Sequence, residues 1–90
     1  MEELEQLRYE IDKIDNEIVQ LFAKRFDVVK RIGKIKKENG IKVLDENRFQ
    51  RVLGQVEEIA INHGLSKDFI DEIYHVVHKY ACRVENDLEI

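Results

Sequence analysis

The 90-residue chain contains no proline and only four glycines. These are the residues that helices reject, so their scarcity describes a chain built almost wholly of helix. It has a single cysteine, Cys82, which excludes an internal disulfide and points to a reducing compartment. It lacks any run of about 18 apolar residues, so no segment is expected to span a membrane. It also lacks an excess of positive charge. The net charge of −4 argues against a nucleic-acid binder, whose domain should be clearly basic. The first ten residues, MEELEQLRYE, are acidic and amphipathic, unlike a signal peptide. One cytoplasmic, all-α domain covering residues 1–90 is the expectation, with a surface drawn from the 38% of residues that are charged.

Apolar residues then recur at Leu4, Leu7, Ile11, Ile14, Ile18, Leu21, Val28, Ile32 and Ile35. Steps of three and four mark one helix with one buried seam. That helix should run over about residues 3–38 and end at Gly40, which suits a left-handed cap after the basic turn Lys34, Lys36, Lys37. Asp45 is a good N-cap for a second helix with Phe49, Val52, Leu53, Val56, Ile59 and Ala60 inward, stopping near His63-Gly64. Ser66 should cap a third, whose stripe reads Ile70, Ile73, Val77, Tyr80, Ala81, Val84 and Leu88. The first helix would be about 50 Å long at ~1.5 Å per residue. A compact chain of this size has a radius of gyration of only ~12 Å, so two shorter helices cannot cover such a rod. A homodimer with the long helices side by side is therefore expected, a plain coiled coil being the simpler rival.

Arg25 interrupts the seam. A guanidinium among apolar side chains costs several kcal/mol (~) unless it is paired. Its partner is either a carboxylate such as Asp15 or Glu17 of a second subunit, or an anionic ligand. Lys36 lies eleven residues on, within ~20° on the same helix face and ~16 Å along the axis. Together the two suggest one wall of an anion pocket. Arg8 is ~25 Å from Arg25 on the same rod, so only in an antiparallel dimer can Arg8 of the partner subunit approach Arg25. Arg48 sits in the first turn of the second helix, where the dipole disfavours a cation and something else must reward it. Glu85 falls at the edge of the third helix's buried stripe, to be paired with a cation or held protonated. His78, Cys82 and Glu85 share a face at i, i+4, i+7, but no second ligand cluster supports a metal, and none is expected. No nucleophile with an activating base, phosphate loop or dinucleotide fingerprint is present. Several cations with few acid–base groups suit a reaction in which a dianion is held in shape.

These motifs resemble those of a family. Leu7-Arg8, Ile11-Asp12, Ile14-Asp15, Leu21-Phe22-Ala23-Lys24-Arg25 and Gly33-Lys34-Ile35-Lys36 are similar to the first helix of the helical chorismate mutases. Val43-Leu44-Asp45-Glu46-Asn47-Arg48 resembles the start of that family's second helix. The resemblance implies an intertwined dimer with two equivalent pockets, and the rearrangement of chorismate to prephenate without a cofactor. It assigns carboxylate binding to Arg25 and the partner's Arg8. Lys36 would donate to a carboxylate and the ether oxygen, Arg48 would support the ring end, and Asp45 would offer its backbone to the ring hydroxyl.

Three positions depart from the family pattern. Phe49 stands where many members carry a glutamate that accepts from the ring hydroxyl. Glu85 stands where bacterial members often carry glutamine, and Ala81 where serine is common. An ionised Glu85 would repel the ether oxygen and a protonated one could donate to it, so activity is expected to rise toward acidic pH and Glu85→Gln to flatten the profile. Phe49 also fits a relative of the same fold, isochorismate-pyruvate lyase, which yields salicylate and pyruvate. A non-catalytic dimerisation or regulatory module, docked on another shikimate-pathway enzyme, is the third reading.

Overall fold

The computed structural model describes residues 1–86. It contains three helices, α1 over Glu2–Glu38, α2 over Glu46–Asn62 and α3 over Lys67–Glu85. Each boundary has a local cause. The first turn of α1 carries Glu2, Glu3 and Glu5 and its last turn Lys36 and Lys37, charges that complement the helix dipole at both ends. Gly40 follows with φ of 64°, the left-handed geometry that glycine adopts without strain, and its N–H returns to Lys37 O. Asp45 caps α2 by accepting from the Arg48 N–H at 2.9 Å. Ser66 caps α3 by accepting from the Phe69 N–H at 3.2 Å. Such caps each contribute about 1 kcal/mol.

α3 is the central element. α1 and α2 each pack along it and, among the described residues, not on each other. The α1–α3 contact is built from Val29, Ala81 and Val84, flanked by Phe26 and Tyr80, whose rings meet edge to face at 4.6 Å. Phe49, Leu53 and Ala60 are the buried residues of α2, and Val77 is buried on α3. Ile59, expected inward, is exposed, and Leu88 lies outside the described residues.

The long helix departs from the expected single seam. Within the chain it buries only Val29 and Gly33, with Phe22, Arg25, Phe26 and Lys36 half-buried around them. That face lies one residue round from Val28, Ile32 and Ile35, which stay exposed. All of residues 1–21 are exposed, including Leu7 at 52% and Ile14 at 53%. The chain measures 57 × 27 × 15 Å with a radius of gyration of 16.4 Å, against ~12 Å for a compact chain of this length. Just over half of α1, residues 2–21, is left uncovered by the other two helices.

Candidate active site

The last turns of α1 and α3 cross at Gly33. A Cβ on Gly33 would sit 2.8 Å from Glu85 Cα and 3.0 Å from its carbonyl oxygen, closer than real side chains approach backbone. The missing side chain is what lets the helices meet, and one turn later it brings Lys36 to Glu85. The Lys36 Nζ lies 2.7 Å from Glu85 Oε1, with both side chains under one-fifth exposed. It also donates to Val43 O at 2.8 Å, in the segment that returns from Gly40 toward α2. The Glu85 oxygen is ion-paired but has no well-aligned hydrogen-bond donor. An ammonium carries three N–H groups, so with two directions occupied Lys36 keeps one for a ligand.

Beside this pair opens a small cleft of about 80 Å³. Lys36, Asp45, Arg48, Phe49 and Glu85, all candidates from the sequence, line it. So do Val43, Val52, Tyr74, His78 and Cys82. The signal for the α3 members was present in their spacing: Tyr74, His78, Cys82 and Glu85 are three or four residues apart on one face. Among the described residues no group of three or more His, Cys, Asp and Glu could hold a metal ion. Phe49 is buried and meets two imidazoles, face to face with His78 at 3.9 Å and edge to face with His75 at 5.2 Å. It forms a floor more than a ligand contact.

Three expected site residues lie elsewhere. Ala81 does not line the cleft: it is 7% exposed and belongs to the α1–α3 core, because a position on the inner face of α3 meets Val29 before it meets the opening. Arg25 is half-buried three turns before Lys36, with its guanidinium 5.6 Å from the Tyr74 ring and 5.9 Å from that of Phe26. Tyr74 thus joins it to the cleft. Arg25 Nη1 is buried and has no hydrogen-bond partner among the described residues. Arg8 lies on the exposed half of α1, ~42 Å along the helix from Lys36.

Two groups titrate abnormally. Burial raises the Cys82 thiol above its ordinary value, and Glu85 and Glu46 raise it further against the opposing pull of Lys36. The thiol stays protonated at neutral pH and is no nucleophile. On the far side of the α2–α3 contact, a hydrogen bond with the Asp71 carboxyl raises Glu57, with desolvation and the Asp71 charge adding to the effect and Lys67 opposing it. No described helix is long and apolar enough to cross a membrane.

Residues 7–86 match the family model described as chorismate mutase type II. Over 86 residues, 96% of its length, the chain is 38% identical to the T-protein of Haemophilus influenzae, of which it spans 23%. It is 31% identical over 84 residues to the 4-amino-4-deoxychorismate mutase of Streptomyces venezuelae, covering 93% of this chain and 82% of that one. The chorismate mutase of Methanocaldococcus jannaschii is 27% identical over 77 residues, with 86% and 78% covered. The chain therefore spans less than a quarter of the T-protein and about four-fifths of the two mutases. With its three helices and a family match that runs over residues 7–86, this chain belongs to the type II chorismate mutase family.

Proposed function

We propose that the chain catalyses the rearrangement of chorismate to prephenate as a homodimer. The buried, unpartnered Arg25 Nη1 carries this reading. A buried donor without an acceptor costs about 1–3 kcal/mol and more when charged, so a fold retains one where a ligand completes it. Chorismate, with its two carboxylates, supplies acceptors for Arg25, Lys36 and Arg48. The reaction is an isomerisation: the ether C–O bond breaks as a C–C bond forms, with no proton or electron exchanged with the protein. The side chains therefore have two tasks. They fold the dianion into a chair, and they place donors where charge grows on the ether oxygen.

Lys36 suits the second task. Its ammonium is fixed by Val43 O and Glu85, so it need not reorganise as the bond breaks. Glu85 enters either as the group that aims Lys36 or, protonated, as a second donor to the ether oxygen. The pH profile separates these roles: rates that climb toward acid and flatten in Glu85→Gln support the donor, and rates that fall toward acid support the aiming role. Phe49 and Asp45 bound the ring end of the cleft.

The dimer is supported by the exposed stripe Leu4, Leu7, Ile11, Ile14, Ile18 and Leu21, 43–62% accessible in a single chain. An apolar stripe of that length marks an interface. In an antiparallel pair Arg8 of the partner subunit would complete the anion contacts beside Arg25. Following chorismate loss with purified protein tests the activity directly. Conversion to prephenate is expected; inertness toward chorismate with release of salicylate from isochorismate would replace this reading with the lyase, and inertness toward both would leave a binding module, in the cytoplasm and in complex with another shikimate-pathway enzyme.

A further inference from the structure

The chain has three histidines, and they are used differently. His63 and His75 each bond through Nδ1 to the carbonyl four residues earlier, Ile59 O and Asp71 O, both at 2.8 Å. Their rings are tied back to their own helices. His78 makes no such bond among the described residues: its only polar contact is Nε2 at 3.8 Å from Cys82 Sγ, a weak one. Its ring is nevertheless fixed. Phe49 lies flat against it at 3.9 Å with 14° between the planes, and Phe49 is itself buried and in edge-to-face contact with His75. The result is an imidazole with a set plane, largely unspent nitrogens and a position in the wall of the cleft.

Of the other polar groups there, Lys36 and Glu85 are paired, Asp45 caps α2, Arg48 can only donate, and Tyr74 is engaged through its ring by the Arg25 guanidinium. Burial keeps the Cys82 thiol protonated, a weak donor. Phe49 offers no polar atom. A neutral imidazole can donate from one nitrogen and accept at the other, which suits a substituent that does both. We propose that His78 is a specificity-determining residue, binding the hydroxyl or amine carried on the ring of the substrate whose carboxylates the cations hold. This rests on the mutase reading given above. It makes His78, through Phe49, the point at which the site tells a ring hydroxyl from a ring amine.

The test compares chorismate with 4-amino-4-deoxychorismate, measuring kcat/KM for each, or the inhibition constant against the other for one that is not turned over. His78→Phe and His78→Leu remove the nitrogens while keeping an apolar wall, and either suffices if the other does not fold. The preference between the two compounds should shift at least tenfold, through KM more than kcat. His78→Gln, which can still donate and accept, should recover part of it. His75→Phe, which alters the other ring neighbour of Phe49 and lies outside the cleft lining, should leave the preference within twofold of wild type. A preference unmoved in both apolar His78 variants, with wild-type turnover intact, overturns this proposal alone. Wild-type protein that binds and converts neither compound overturns it together with the mutase reading.

Discussion

The two halves of α1 share one helix and one apolar period, yet behave differently. From Phe22 to Lys36 the helix finds its counterpart within the chain, on α3, and ends with Lys36 in the wall of the cleft. From Leu4 to Leu21 every residue is exposed. Periodicity shows that a face is to be buried; it does not show by what. The halves therefore call for different experiments.

The largest effect is expected in the second half. Arg25→Ala should lower kcat/KM by about 10² to 10³, the range for removing a placed charge from a transition state, while thermal unfolding stays near wild type or improves because a buried, unpaired nitrogen is gone. Loss of stability without loss of rate would assign Arg25 to the scaffold. In the first half, Ile14→Asp should convert a dimer to monomer in sedimentation and cost several kcal/mol of stability (~), as burial of a charge in an apolar interface does. For a working monomer the same change would be a surface substitution, within about 0.5 kcal/mol. Unchanged sedimentation and melting would refute the proposed pairing.

Two glycines sharpen the contrast between packed and open helix faces. Gly33→Ala should destabilise by about 1–3 kcal/mol by overpacking and lower kcat, since the Cβ would press on Glu85 Cα and force Lys36 off its partner. Gly54→Ala, with nothing within 4 Å of the added carbon, should instead stabilise α2 by up to about 1 kcal/mol. Both are read from denaturant unfolding; a stabilising Gly33→Ala would remove the close crossing from the account of the site. The smallest effect is expected at Glu57. Its carboxyl is raised in the folded protein, so its proton is held more tightly there than in the unfolded chain. The stabilisation is complete below the unfolded value and is lost as pH rises through the folded one. Glu57→Gln should therefore melt slightly higher than wild type at neutral pH and not at pH 3–4 (~); equal differences at both would exclude the carboxyl pair.

The helices were legible because their ends are written in short-range chemistry. Gly40, Asp45 and Ser66 act on neighbours within a few residues, and all three occupy the caps or turns they predict. Arg48 was legible as a charge in a place that disfavours it, and Lys36 by sharing a helix face with Arg25. What the sequence concealed depends on how helices cross. Val29 and Gly33, not Val28 and Ile32, face α3, because a seam fixes a face only to within about one residue when the partner helix is unknown. Ala81 falls on the α3 stripe of Val77 and Val84, which α1 covers, one residue round from the face of Tyr74, His78, Cys82 and Glu85 that lines the cleft. His78 and Cys82 were visible as a shared face, and only the stacked Phe49 shows that the face opens on a cavity.

Because α1 and α2 meet α3 but not each other, the cleft has two walls with one common spine. Cation spacing across the opening is thus inherited from a single element. A substitution on the outside of α2 displaces one wall, whereas a change in the tilt of α3 displaces both and alters the gap between Lys36 and Arg48 in a single stroke. Tuning the cleft for a bulkier or smaller guest would accordingly begin on the inner side of α3, at residues that need never touch the guest.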